Sequence, residues 1–447
     1  LLINLIQFIF SPHLNPPLIR EGVLPLRHWQ KSRWGSGLLI LFILFSQIYA
    51  QDNRLRLIQA DLLENITIDG QSMQFLRGNV IFKKGDMVMN CDWARFDQKT
   101  EQGFLFGNVS MVEDVQNLTC DSLFVDSPKD IMIAYSNTHV WDTTYSLVAD
   151  TLFYFSELDS GSANGNATLI QDKQTIKGDR IEYFEIPGSD GVSYAARGNV
   201  SITEEGRLAT CGEAIYDREN GKTTLRIKPK ILDNNQTIAG SEIFLEYDED
   251  VLKSLFIPSE AHATHPSTGI RQWTEIVDGD TLTFEDSLSF TDDMTGSILR
   301  GFFTDGIMDS MRLEGMATTL YHIFEDSVYQ GKNEASGDTI IMNFADNDLQ
   351  KIFVNGGSRG TYTPDSTGAD VDGPIHYESE DIDYDVVNEF TDLHGDAVID
   401  YTNINLKAGF INVAWRYNLL KAFPESERDS SYGWIRPSMV ENGEEPM

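Results

Sequence analysis

Three groups of residues in this 447-residue chain could do chemistry. His262 and His265 are the closest histidine pair, and such a pair can ligate a metal or move a proton. No carboxylate motif or helical pattern accompanies them, so they predict no metal site. Asp278-Gly279-Asp280 and Asp292-Asp293 offer oxygens to calcium, but without the ligand spacing of a calcium loop. The third group is a row: Asp92, Asp121, Asp150 and Asp179, each 29 residues from the next. Its regularity points to a turn residue at a strand corner rather than to an acid–base pair. A phosphate-binding glycine loop, a serine nucleophile elbow and a Cys/His pairing are all missing. The expectation is a protein that is not an enzyme, with no cofactor and no metal.

The elements around that row repeat. The segment Met89-Asn90-Cys91-Asp92-Trp93-Ala94-Arg95-Phe96 returns around Cys120, Ala149, Gly178, Cys211 and Gly240, at intervals of 29, 29, 29, 33 and 29 residues. The four extra residues fall at a turn around Pro187-Gly188-Ser189-Asp190-Gly191. Between these segments lies a second signature: Gly78-Asn79-Val80, Gly107-Asn108-Val109, Gly165-Asn166-Ala167 and Gly198-Asn199-Val200, with Ser136-Asn137-Thr138 completing the series. A fixed period of this length marks stacked supersecondary units, none of which can bury its apolar face alone.

Alternation gives the local structure. After Gly-Asn, apolar residues recur every second position (Val80 and Phe82, Val109 and Met111), so a strand follows a turn. Around the Asp the phase slips, from Met89 and Cys91 to Ala94 and Phe96. A strand cannot change face without an extra residue, which places a bulge or corner at each Asp. One unit is then two bent strands and two turns. Cys91, Cys120 and Cys211 share a slot otherwise filled by Ala149, Gly178 and Gly240, so it selects for small size. Cys91 and Cys120 lie in adjacent units, and their pairing stays open. Sequons at Asn65, Asn108, Asn117, Asn166, Asn199 and Asn235 read as a by-product of the Gly-Asn turns and composition.

Composition excludes nucleic acid as a partner: 34 Lys+Arg against 69 Asp+Glu give a formal charge of −35, which repels phosphate backbones. Residues 1–34 read as an extension outside the fold. A basic region at Arg27, Lys31 and Arg33 and an apolar run from Gly37 to Tyr49 predict a signal peptide, its body at 35–50 and its cleavage after Ala50. Residues 51–250 hold the clean units and 251–375 a divergent continuation. Slot-like copies persist there at Gly279-Asp280 and Gly337-Asp338. Thr361 to Pro374 reads as a linker or long loop, and 376–447 as the start of a second, truncated β domain.

The signal, the 29-residue unit and the pattern Gly-Asn-Val followed by small-Asp-x-apolar-x-aromatic resemble the OstA-like family of lipopolysaccharide transport proteins. That group contains LptA, the jellyroll of LptC and the N-terminal domain of LptD. The resemblance implies an all-β, open V-shaped β-jellyroll (β-taco) in the periplasm, associated with the outer membrane of a Gram-negative-type bacterium. It implies binding of lipopolysaccharide or a related glycolipid, whose acyl chains travel in an apolar groove. Partners would be other Lpt-type jellyrolls, joined by edge-strand pairing, and the outer-membrane assembly complex. The candidate groove residues are Val80, Phe82, Ala94, Phe96, Val109, Met111, Leu123, Leu152, Leu169, Ile181, Val200 and Ile202. The alternative is a non-catalytic β-solenoid scaffold or surface protein whose same residues fill a closed core.

Overall fold

The computed structural model describes residues 54–441 apart from 69–70, 156–159, 172, 186–191, 205–206, 218–219, 234–235, 249–250, 279, 346–347, 367–372, 415–416, 418 and 425–436. The expected extension, the signal peptide and the turn at Pro187–Gly191 lie outside the described residues, as do Asn235 and Gly279.

The fold is all-β. A 3-10 turn lies at Ser127–Lys129, and among the described residues no helix is long and apolar enough to cross a membrane. Two compact units divide the chain, one ending at Ile227 and the other starting at Lys228. The first begins with β1 (Arg56–Gln59), β2 (Leu62–Ile68), β3 (Gln71–Lys84) and β4 (Met87–Asp97). It continues with β5 (Gln102–Glu113), β6 (Gln116–Asp126), β7 (Ile131–Trp141), β8 (Tyr145–Phe155) and β9 (Ser160–Gln171). It closes with β10 (Gln174–Glu185), β11 (Val192–Glu204), β12 (Arg207–Asp217) and β13 (Lys222–Arg226). From β2 to β13 each strand pairs antiparallel with the next. One 29-residue period is therefore two strands and two turns.

The Gly-Asn pairs do not precede strands, as alternation suggested; they sit in the middle of long ones. Gly107 and Asn108 both take left-handed φ (74° and 44°), as do Gly78-Asn79, Ser136-Asn137, Gly165-Asn166 and Gly198-Asn199. Glycine adopts that region without a Cβ penalty, and asparagine tolerates it better than most residues. Register confirms a bulge: Arg77 and Val80 on β3 oppose Trp93 and Cys91 on β4, so two residues face one. The extra residue thus lies on the Gly-Asn strand, not on the Asp strand where the phase slip is visible. The Asp strand answers by turning the corner. In β4 the buried apolar residues are Met87, Met89 and Cys91 before Asp92, then Ala94 and Phe96 after it. Each strand is bent at its middle, and the two halves of the sheet fold toward one another. Phe82, above the corner, meets Phe96, below it, with ring centroids 5.6 Å apart.

The second unit holds β14 (Lys230–Asp233), β15 (Gln236–Ala239), β16 (Glu242–Asp248), β17 (Val251–Ile257) and β18 (Ala261–Val277). Next come β19 (Asp280–Gly296), β20 (Ile298–Thr304), β21 (Ile307–Glu325), β22 (Val328–Ala345) and β23 (Asp348–Pro364). The last are β24 (Ile375–Asp385), β25 (Phe390–Tyr401), β26 (Ile404–Ala414), β27 (Leu419–Phe423) and β28 (Ser438–Glu441). Here the corner breaks some strands in two. The long β21 pairs with β20 through Ile307–Glu314 and with β19 through Thr318–Leu320, with Gly315-Met316 as the left-handed bulge between them. Gly337-Asp338 is a true copy, Asp338 lying against Gly356. Asp280 is not: β18 and β19 pair without interruption from Ala261↔Gly296 to Val277↔Asp280, so it closes an ordinary hairpin. Thr361–Pro364, expected in a loop, belong to β23 and pair with β22, and β23 pairs directly with β24.

Candidate functional site

The corner Asp is part of the frame. Asn108 Nδ2 donates to Asp92 Oδ2 at 2.8 Å, Asn79 to Asp61 and Asn137 to Asp121 at the same distance, and Asn166 and Asn199 to Asp150 and Asp179 at 3.4 and 3.1 Å. Four of these carboxylates also press on a glycine, Asp121 facing Ser136 instead: a Cβ built at Gly107 would stand 2.4 Å from Asp92 Oδ2. The ladder satisfies polar groups where the bulge interrupts backbone pairing. Asp61 belongs to it but escapes the 29-residue spacing, because Ala60 stands 31 residues before Cys91; the small-Asp pair Ala60-Asp61 was its signal. One rung is reversed. Ile227 takes the left-handed conformation (φ 65°), and Gly212 occupies the Asp position, its N–H donating to Ile227 O at 2.9 Å. A Cβ at Gly212 would lie 2.7 Å from that of Ile227. Side chain and glycine have changed places.

All twelve candidate groove residues are buried. Val80, Phe82, Val109, Met111, Leu169, Val200 and Ile202 come from the strand halves after the Gly-Asn bulge. Ala94, Phe96, Leu123, Leu152 and Ile181 come from the halves after the Asp corner. The two sets face one interior. Met111, Leu123 and Leu152 share a cavity of about 30 Å³ with Leu118, Ala134 and Tyr154, among others. Val80 and Val109 pair with Cys91 and Cys120 in the same interior. Leu76, Met89, Leu105, Ala134 and Tyr183 are as deeply buried, and the alternation that selected the twelve could have found them. Glu113 and Gln116 also line the cavity; Glu113 carried no sequence signal, and Gln116 only its place in the 29-residue spacing.

The other candidates do not assemble a reactive site. Among the described residues no three His, Cys, Asp or Glu side chains are grouped to hold a metal. His262 and His265 are separately engaged: His262 Nε2 lies 2.6 Å from Asp293, while the ring nitrogens of His265 are buried without a partner. Burial holds His265 below the usual histidine range. Asp292 instead meets His322 Nδ1 at 2.7 Å. All three cysteines are free and buried. Burial pushes the thiols of Cys91, Cys120 and Cys211 up to about 11, 12 and 11. Cys91 on β4 and Cys120 on β6 are separated by β5, roughly 9–10 Å at two strand spacings, beyond disulfide reach. A thiol reagent at pH 8 is therefore expected to count three thiols in denaturant and none within minutes in the folded protein. Rapid native reaction at any of them would contradict this burial.

An OstA-like protein family model matches residues 52–184, and the model for LptA/(LptD N-terminal domain) LPS transport proteins matches residues 147–251. The family resemblance holds over residues 52–251. Comparison with curated proteins gives no match. Neither matching family is a family of enzymes. The OstA-like region so defined contains the whole Asn–Asp ladder from Asp61 to Asn199 and all twelve candidate interior residues.

Proposed function

We propose that the chain is an exported, periplasmic protein that carries the acyl chains of lipopolysaccharide, or of a related glycolipid, in the interior of its bent sheet toward the outer membrane. The observation that carries this reading is the interior itself. Every strand from β3 to β11 contributes apolar residues from both sides of its corner, so one largely apolar lane runs along the stack, with a few buried polar side chains such as Gln116, Thr138 and Gln174. Acyl chains need such continuity, because each methylene left in water is unfavourable by about 0.8 kcal/mol. Catalysis has no place in this reading. The match of residues 147–251 to the family model of LptA/(LptD N-terminal domain) LPS transport proteins supports it.

Edge strands suit end-to-end partners. β1 and β2 pair only with β3 among the described residues, and Leu62, Leu63 and Ile66 are exposed. An open, apolar edge is a template for a strand of another jellyroll protein. We place the outer-membrane assembly complex at the end of that chain of contacts.

The cavity of about 30 Å³ holds one or two waters rather than an acyl chain. That observation favours a second reading, a scaffold with a closed core; under the first, the two sheet halves must part to admit the lipid. Photocrosslinking separates them. With a photoreactive residue at Phe96 or Leu123 in the exported protein, lipopolysaccharide adducts are expected there. They are not expected at Arg95, whose guanidinium lies over the Phe104 ring on the other face. Cells that make the lipid yet give no adduct at either inward site would leave the scaffold.

A further inference from the structure

We infer that Gln116 and Glu113 form a subsite for the carbonyl group of an acyl ester or amide at one rim of the apolar interior. Glu113 ends β5, Gln116 begins β6, and the two face each other across the turn at Asp114-Val115. Both line the cavity described above, alongside Met111, Leu118 and Leu152. Gln116 is only 4 % exposed, yet its Nε2 has no hydrogen-bond partner, and Glu113 Oε2 is likewise buried and unpartnered.

The chemistry of those atoms selects the ligand. An amide Nε2 carries two N–H donors and no acceptor. Burial, with Asp114 and Asp86 nearby and only Lys84 opposing them, pushes Glu113 up to about 7, so near neutral pH its carboxyl group also offers an O–H donor. Two donors beside an apolar cavity complement a group that only accepts, attached to hydrocarbon. An ester or amide carbonyl at the head of an acyl chain fits; an ammonium group does not. The position recurs along the rim: Met87, Gln116, Tyr145, Gln174 and Arg207 follow one another at 29, 29, 29 and 33 residues. Each begins its strand, and the Tyr145 hydroxyl is buried without a partner as well. After the apolar Met87, a lipid moving along the lane would meet polar side chains at these positions, Gln116, Tyr145, Gln174 and Arg207.

This subsite rests on the lipid-carrying reading, so the experiment reports on the two separately. The probes are methyl myristate labelled with carbon-13 at its carbonyl and pentadecane, which has comparable length and no carbonyl. Binding of each to the purified exported chain is measured, with isotope-edited infrared spectra of the bound ester. Both probes are expected to bind, and the bound carbonyl to absorb at the lower frequency of a hydrogen-bonded group. Gln116→Met, close in volume, should weaken the ester about three- to tenfold, the range of one hydrogen bond, and leave pentadecane unchanged. Glu113→Gln keeps a donor and removes ionisation. It should hold ester affinity constant from pH 6 to 8.5, where the natural chain loses affinity as Glu113 ionises facing Asp86, Asp114 and Lys84. Equal binding of both probes with no effect of Gln116→Met means the cavity polar groups see water only, and overturns the subsite while sparing the lipid-carrying reading. Binding of neither probe overturns both.

Discussion

Gly107→Ala is expected to lower the stability of the chain by about 1–3 kcal/mol, read by urea unfolding with circular dichroism. Two effects add. An L-residue at φ 74° is disfavoured by roughly 1–2 kcal/mol relative to glycine. The new Cβ also stands 2.4 Å from Asp92 Oδ2, so the carboxylate must shift, weakening its hydrogen bond with Asn108 at a cost of up to about 1 kcal/mol more. The Ser136 rung, where Asn137 keeps Asp121 at 2.8 Å, shows that a shifted carboxylate can still pair. Gly85 separates the two terms: its φ is 61°, but a Cβ there meets nothing within 4 Å. Gly85→Ala should show the backbone cost alone. Adding Asp92→Gly to Gly107→Ala should return the steric part, since the Gly212–Ile227 rung is that exchange made naturally. If Gly107→Ala costs no more than Gly85→Ala, the contact with the Asp row is not what holds the corner.

Phe82→Ala should cost about 3–5 kcal/mol, the range for removing a large buried aromatic side chain. Phe82 is fully buried, and its ring reaches across the fold to Phe96. The comparison is Trp93→Ala on the opposite face of the same sheet. Trp93 is 43 % exposed and stacks on Phe106 at 4.0 Å, a pair worth about 0.5–1.5 kcal/mol beyond its burial. A larger loss at Trp93 than at Phe82 would mean that the outer face, not the bent interior, stabilises the sheet.

Much of this was legible because strand periodicity is a local property. The slip from Cys91 to Ala94 located every corner between β4 and β10, and the alternation after Gly-Asn chose interior residues that the structure buries. What the residues did not reveal depends on neighbours distant in sequence. The phase slip is visible on the Asp strand, yet the inserted residue is on the Gly-Asn strand beside it, and only register between strands assigns it. Ile227 carries no sign of a left-handed backbone; its conformation follows from the glycine at 212 across the sheet. Asp280 shares the local pattern of Asp338, but it faces a hairpin partner rather than a bulge. Glu113 and Gln116 are polar residues at a turn, ordinarily solvated, and only the fold shows them buried against hydrocarbon.

The bulge in every second strand also makes the chain a ruler. A deletion of one residue inside β6 would exchange its inward and outward faces from that point to the next turn. Removal of a whole 29-residue period takes out two strands, two turns and one Asn–Asp rung together, and leaves the flanking strands in the register they already use. With four additional residues between Gly178 and Cys211, β10 and β11 still pair without a shift from Arg180↔Arg197 to Glu185↔Val192. Length in this architecture can therefore change by gene duplication or loss in steps of one period, each step lengthening or shortening the sheet by about 10 Å, two strand spacings. The span such a protein covers is set by how many copies it carries, with no new core to invent.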